Sequence, residues 1–238
     1  MNYLILSSPR TGSTMLAAAL TATGRAGTVK EYFHLDELAG MGNPEQTAEG
    51  MRCYYASLVD ATASANGVFG MKLHFNQFHH VFGGKRIGMA SGLNFVKSFD
   101  RRILVYRRDK VLQALSELLA TRSDLWNTGD SAAAGCAGKA FADTDIPFLL
   151  RILSRQVSEE YAWRSLLKDS GLAFHQTAYE DLVAQPDREF AKLAAYLAIP
   201  GLDRLTATRD TVKLTDEAVT AAVKQRVLAG LGALQASA

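Results

Sequence analysis

The chain has 238 residues, 48% hydrophobic and 21% charged, with a formal net charge of +2. This is an ordinary composition for a globular protein, and the charge is too small to argue for nucleic acid or an anionic membrane. It contains no apolar run of about 18 residues and no charged leader ahead of an apolar stretch. The expectation is a cytoplasmic protein without a transmembrane segment. Cys53 and Cys136 are far apart and show no paired spacing, so both are expected to be free buried thiols.

In chain order, "NYLILSS" is a short apolar run ending in turn residues and predicts a strand. Residues 12–22 follow as a helix that stops near Gly24. "VKEYFHL" at 29–35 reads as a short connector able to extend, and 46–65 as a helix closed by "NG". "VFGMKLH" (68–74) and "RRILVYRRD" (101–109) are two more buried strands. "KVLQALSELLATR" has helical spacing, with Asp109 placed as its N-cap. A long helix begins at Ile146, carries Pro147 in its first turn and ends at Gly171. "LAFHQT" predicts a fourth strand, "DREFAKLAAYLAI" a further helix, and the Ala-rich residues 215–235 a closing helix. The Gly-rich stretches "GGKRIGMASG" and "GDSAAAGCAG" read as mobile loops.

Strands alternating with helices imply an α/β fold: a three-layer, P-loop-like parallel sheet flanked by helices, in a single domain over 1–238. Ligands bind such sheets at the carboxyl ends of the strands, where "SSPRTGST", "KLHF" and "YRRD" emerge. In "SSPRTGST" (7–14), small residues at a strand-to-helix turn leave backbone N–H groups at a positive helix end, which suits an anion. A nucleotide triphosphatase loop would read G-x-x-x-x-G-K-[ST]. Here Ser7 replaces the first glycine and Ser13 the lysine, while Gly12 and Thr14 remain and Arg10 returns a cation. Phosphate cradling by Pro9, Arg10, Thr11, Gly12, Ser13 and Thr14 is retained without the signature of ATP or GTP hydrolysis. In "YRRDKVLQALS", Arg107 and Arg108 leave the third strand and Ser116 lies one to two turns into the next helix, a set that can hold one phosphate.

Taken together, these residues resemble the nucleotide site of the sulfotransferases that use 3′-phosphoadenosine 5′-phosphosulfate. In that family the loop after the first strand holds the 5′-phosphosulfate, and an arginine with a serine eight positions on holds the 3′-phosphate. Arg108 and Ser116 match that spacing, with Arg107 as companion. "PRTGST", "EYF", "GMKLHF" and "RRDKVLQALS", in this order, resemble most the bacterial trehalose 2-sulfotransferase group, and "YEDL" (179–182) resembles the family's strand-loop region. The resemblance runs from about residue 3 to 200 and lacks the R-x-G-x-x-G-x-W-K segment of the animal cytosolic enzymes. It implies a phosphosulfate co-substrate, adenosine 3′,5′-bisphosphate as product, a carbohydrate or glycolipid acceptor and no metal; a homodimer is left open. The alternatives are a nucleotide or small-molecule kinase and a non-catalytic nucleotide-binding protein.

Sulfuryl transfer to an alcohol needs a proton acceptor, donors to the sulfuryl oxygens and a cation at the leaving phosphate. Arg10 and the N–H groups of residues 11–14 suit the leaving phosphate, and Lys72 the bridging or sulfuryl oxygens. Two residues compete for the base. The resemblance implies Glu31, in "KEYF"; His74, in a K-x-H pattern like that of the animal enzymes, starts near a pKa of about 6.5 and then binds or assists the acceptor. Tyr32 and Phe33 are the expected acceptor wall. His34, His79, His80 and His175 lack metal-ligand spacing. Trp126 can stack on a sugar or adenine, whereas Trp163 sits on an apolar helical stripe and reads as core.

Overall fold

Among the described residues, four short strands carry the framework: β1 (Asn2–Ser7), β2 (Phe69–His74), β3 (Arg101–Tyr106) and β4 (His175–Ala178). They form one sheet in the order β2-β1-β3-β4, and every pairing is parallel. The computed structural model describes residues 1–40, 47–84, 87–123, 126, 145–202 and 221–229. Around the strands lie α1 (Ser13–Ala22), α2 (Leu35–Gly40), α3 (Ala48–Thr62), α4 (Phe75–Phe82), α5 (Met89–Lys97), α6 (Lys110–Ser123), α7 (Ile146–Asp169), α8 (Tyr179–Ala184) and α9 (Pro186–Leu197).

Strand periodicity explains the layers. Successive side chains point to opposite faces, so β1 sends Leu4 and Leu6 one way and Tyr3 and Ile5 the other. Leu4 and Leu6 meet Phe69, Met71 and Leu73 of β2 under α3, α4, α5 and the second half of α7, where Trp163 and Leu167 are fully buried. Tyr3 and Ile5 pack under α1 and α9 through Leu16, Leu20, Phe190, Leu193 and Leu197. Both faces are covered, as continuous apolar strands require.

The chain divides into two compact units. The first, Met1–Arg108 with Glu159–Thr208, holds the whole sheet. The second, Asp109–Ser158 with Arg209–Ala238, packs Ala114, Leu115, Leu118, Leu149, Val223 and Val227 together. In it Asp109 accepts from the Leu112 N–H (2.9 Å), the N-cap its position predicts. Residues 221–229 are helical, within the closing helix expected over 215–235.

Several elements depart from the sequence reading. Helices α2, α4 and α8 were not expected. The Gly-rich stretch at 83–92 is part helix: α5 begins at Met89, and Gly92 lets it close on α4, since a Cβ there would stand 2.7 Å from Phe78. The second Gly-rich stretch, 129–138, and Cys136 lie outside the described residues. Cys53 is exposed rather than buried, because α3 turns Met51, Tyr54 and Leu58 inward and leaves Cys53 on the opposite side. No helix among the described residues is long and apolar enough to cross a membrane.

Candidate active site

β1 ends at Ser7, and the next six residues turn into α1. The turn is tight: Arg10 and Gly12 both take left-handed backbone conformations (φ 64° and 80°). Gly12 is the N-cap of α1, offers no capping side chain, and no acidic residue occupies the first turn. The helix therefore presents its positive end with uncapped first-turn amides. Glycine is required here twice over, since a Cβ at Gly12 would meet Tyr179 Cδ2 at 2.6 Å. The loop is braced from within by the Thr11 hydroxyl donating to the Ser8 carbonyl (3.1 Å). From outside, the Arg107 guanidinium donates to the Arg10 carbonyl (3.3 Å) and lies 4.3 Å over the Tyr179 ring.

A polar cluster forms beside this loop. Lys72 and His74 alternate on β2, so they share one face of the strand. The parallel register sets Ser7 directly across from His74. Glu31 arrives by a separate route. Lys30 makes an isolated bridge with Met71, the Lys72 N–H donating to the Lys30 carbonyl (2.9 Å), and the chain turns at once, the His34 N–H donating to the Glu31 carbonyl (2.8 Å). This delivers Glu31 to the exit of β2.

The contacts are close. The Lys72 ammonium, 3% exposed as a residue, reaches Glu31 Oε1 at 2.5 Å and donates to Thr14 Oγ1 at 2.7 Å. His74 Nε2 stands 3.3 Å from the same Glu31 oxygen, and Nδ1 lies 2.9 Å from Ser7 Oγ. Nε2, facing the carboxylate, carries a proton, and Nδ1 shares a hydrogen bond with the Ser7 hydroxyl. Gln77, on the first turn of α4, donates from Nε2 to Glu31 Oε2 (2.5 Å), while its Oε1 accepts from the His74 N–H (3.1 Å). Burial acts to raise the Glu31 pKa, but the charge and hydrogen bonds of His74 and Lys72 outweigh it. The carboxyl is held well below the usual range.

The sheet edge thus brings together Glu31, Lys72, His74 and Thr14. Tyr32 and Phe33 leave the group: both are buried in the core (4% and 1% exposed), Tyr32 donating from its hydroxyl to the Thr28 carbonyl. The turn after Glu31 sends these rings inward, so they are packing residues where an acceptor wall was expected. Arg107 is directed to the loop. Arg108 is exposed and bound through both terminal nitrogens to Asp181 (2.7 and 2.5 Å), its N–H donating to the Glu180 carboxylate (3.0 Å). Hydrogen bonds from Arg108 hold the Asp181 carboxyl below its ordinary value. Ser116 is half-buried on α6, in the second unit. Trp163 is core, its indole N–H donating to the Ser7 carbonyl (3.0 Å). Trp126 is exposed, and His34 faces Asp36.

Three contributors escaped the sequence reading. Ser7 stood only as a small loop residue, and Tyr179 only within "YEDL". Gln77 carried no signal in the sequence; its capping box with His74 is seen only once α4 is in place.

The model of the Stf0 sulphotransferase family matches residues 2–224. The chain belongs to that family. The crystal structure of a sulfotransferase from Alicyclobacillus acidocaldarius is similar in fold at 15% sequence identity, covering 96% of this chain and 94% of that one, with a TM-score of 0.50. A comparison with curated proteins returns no match. Family membership agrees with the resemblance drawn from the loop and the strand exits, and the parallel sheet is the fold it implies.

Proposed function

We propose that this sulfotransferase moves a sulfuryl group from 3′-phosphoadenosine 5′-phosphosulfate to a hydroxyl of a carbohydrate or glycolipid acceptor. The observation that carries this reading is the Lys72 ammonium bridging Glu31 and Thr14, which joins the anion loop to a carboxylate at the sheet edge.

In this scheme the phosphosulfate seats on the N–H groups of residues 11–14, with Arg10 near its phosphate. Glu31 takes the acceptor's hydroxyl proton. The acceptor oxygen bonds to sulfur, and the bond between sulfur and the phosphate oxygen breaks. The electron pair leaves with adenosine 3′,5′-bisphosphate, whose new charge the loop amides and Arg10 neutralise. Lys72 serves the sulfuryl oxygens. A donor drawing on its ammonium competes with Glu31 for the same charge, and that competition returns basicity to the carboxylate. Both nitrogens of the His74 ring are engaged by Ser7 and Glu31, which favours an orienting role over that of primary base. Arg108 is assigned to the 3′-phosphate, and Asp181 would have to yield Arg108 to it.

The test is calorimetry with adenosine 3′,5′-bisphosphate, 5′-AMP and ATP–Mg²⁺, followed by steady-state transfer from labelled phosphosulfate to trehalose and a panel of sugars. The bisphosphate should bind most tightly, and Arg108→Ala should remove most of its advantage over 5′-AMP, because a charge-assisted phosphate contact is worth about 1.5–3 kcal/mol. Glu31→Gln should lower kcat by about 10²–10⁴-fold with nucleotide affinity little changed. Equal affinity for the two adenosine nucleotides overturns the donor assignment.

A further inference from the structure

Gln77 lies outside the anion loop and the K-x-H pattern, yet it is the residue that makes the geometry of Glu31 specific. Its residue exposure is 7%, and both ends of its amide are committed. The His74 N–H needs an acceptor, so Oε1 must face it, and the amide then has only Nε2 to offer Glu31. The helix therefore fixes which end of Gln77 meets the carboxylate.

A carboxylate has about four lone-pair positions, two on each oxygen. On Glu31, Oε1 receives Lys72 and His74, and Oε2 receives Gln77. Among the described residues this leaves a single position, on Oε2. The Glu31 side chain is 25% exposed, enough for a small hydroxyl to approach. Without the Gln77 donor the carboxylate could turn about its last torsion and lose the distinction between its two oxygens. Among the described residues, the charged or titratable groups facing Glu31 are Lys72 and His74, both on β2.

We propose that Gln77 is a positioning residue: its Nε2 donor locks the Glu31 carboxylate so that the remaining lone pair of Oε2 receives the acceptor's proton. This deepens the reading of Glu31 as base and rests on it, but Gln77's grip on the carboxylate is measurable without any acceptor.

The decisive variant is Gln77→Glu, which is isosteric and keeps an oxygen for the His74 N–H, so the helix cap survives. It replaces the donor with a second carboxylate oxygen against Oε2. In protein carrying carboxyl-¹³C glutamate, with the Glu31 signal assigned from Glu31→Gln, wild type should show a Glu31 signal flat from about pH 8 to about pH 4. Gln77→Glu should show a new shared protonation step on Glu31 between about pH 5 and 8, since two carboxylates in contact cannot both stay ionised. A purely capping role leaves Glu31 flat in this variant, and that result overturns the proposal. If Gln77→Glu is too unstable for spectroscopy, its thermal midpoint decides against the swap Glu31→Gln/Gln77→Glu, which rebuilds an amide–carboxylate pair. With Glu31→Gln completing the cycle, a swap that loses less than the sum of the two single losses supports the contact, and additivity overturns it. Failure of the base assignment looks different: Glu31→Gln keeps its transfer rate while the shared protonation step is still observed.

Discussion

Replacing Gly12 with alanine perturbs the turn at its tightest point, and the structure separates the cost into two parts. A non-glycine residue at φ 80° carries a left-handed backbone penalty of about 1–2 kcal/mol. The added methyl would also stand 2.6 Å from Tyr179 Cδ2, where ordinary contact begins near 3.4 Å. Tyr179 is not free to swing aside, because the Arg107 guanidinium lies over its ring. Overpacking of this kind costs about 1–3 kcal/mol, which makes the sum about 2–5 kcal/mol. For a chain of this length, at about 3 °C per kcal/mol, Gly12→Ala should lower the thermal midpoint by about 6–15 °C. The assay is a double-mutant cycle with Tyr179→Ala, followed by circular dichroism on heating. Tyr179→Ala removes the ring that the methyl meets, so only the backbone part should survive in the double variant. Its loss should fall short of the sum of the single losses by about 1–3 kcal/mol, the overpacking part. Additivity within about 0.5 kcal/mol would refute the assignment of the ring as the obstacle.

Glu31 should leave a signature in acid stability. Its folded pKa lies below the unfolded value of about 4.3, so the unfolded state binds more protons and the contribution of Glu31 is complete above that value and lost as pH falls. Urea unfolding between about pH 3 and 6 should show a shallower acid limb in Glu31→Gln, and identical limbs would contradict the ion pair with Lys72. Ser7→Ala leaves His74 Nδ1 without its hydroxyl partner in a buried site, and should cost about 1–3 kcal/mol by denaturant titration. Sulfuryl transfer should persist in EDTA. Loss on chelation, restored by Mg²⁺, would return the kinase alternative to first place.

The framework was legible because parallel strands buried on both faces read as apolar runs, and "YLIL" and "ILVY" have no other simple interpretation. The long helices α3, α6, α7 and α9 carry enough turns for periodicity to register. The helices α2, α4 and α8 span 6, 8 and 6 residues and start within a residue or two of a strand or turn, too little sequence for a 3.6-residue period to emerge. The same limit hid Gln77, whose place depends on α4 existing and whose partner is 46 residues away in sequence. Tyr32 and Phe33 fail for another reason. An aromatic pair beside a candidate base looks the same in sequence whether it faces a ligand or the core, and only the turn after Glu31 decides.

What the sequence could not convey is that the site is assembled by register rather than by neighbourhood. Ser7 meets His74 because β1 and β2 pair in parallel with those residues opposed, and a one-residue slip would send Lys72 and His74 to the other face of the sheet. Gly70 guards that register, since the Tyr3 ring occupies the space where its Cβ would stand, and Tyr3 in turn donates to the Ala26 carbonyl (2.9 Å). The apolar interior of the sheet therefore sets the alignment, and the alignment places the cation, the imidazole and the loop hydroxyl within reach of one carboxylate. Chemistry at the carboxyl edge is a consequence of packing several residues upstream, and Glu31 joins it through the Lys30–Met71 bridge beside it.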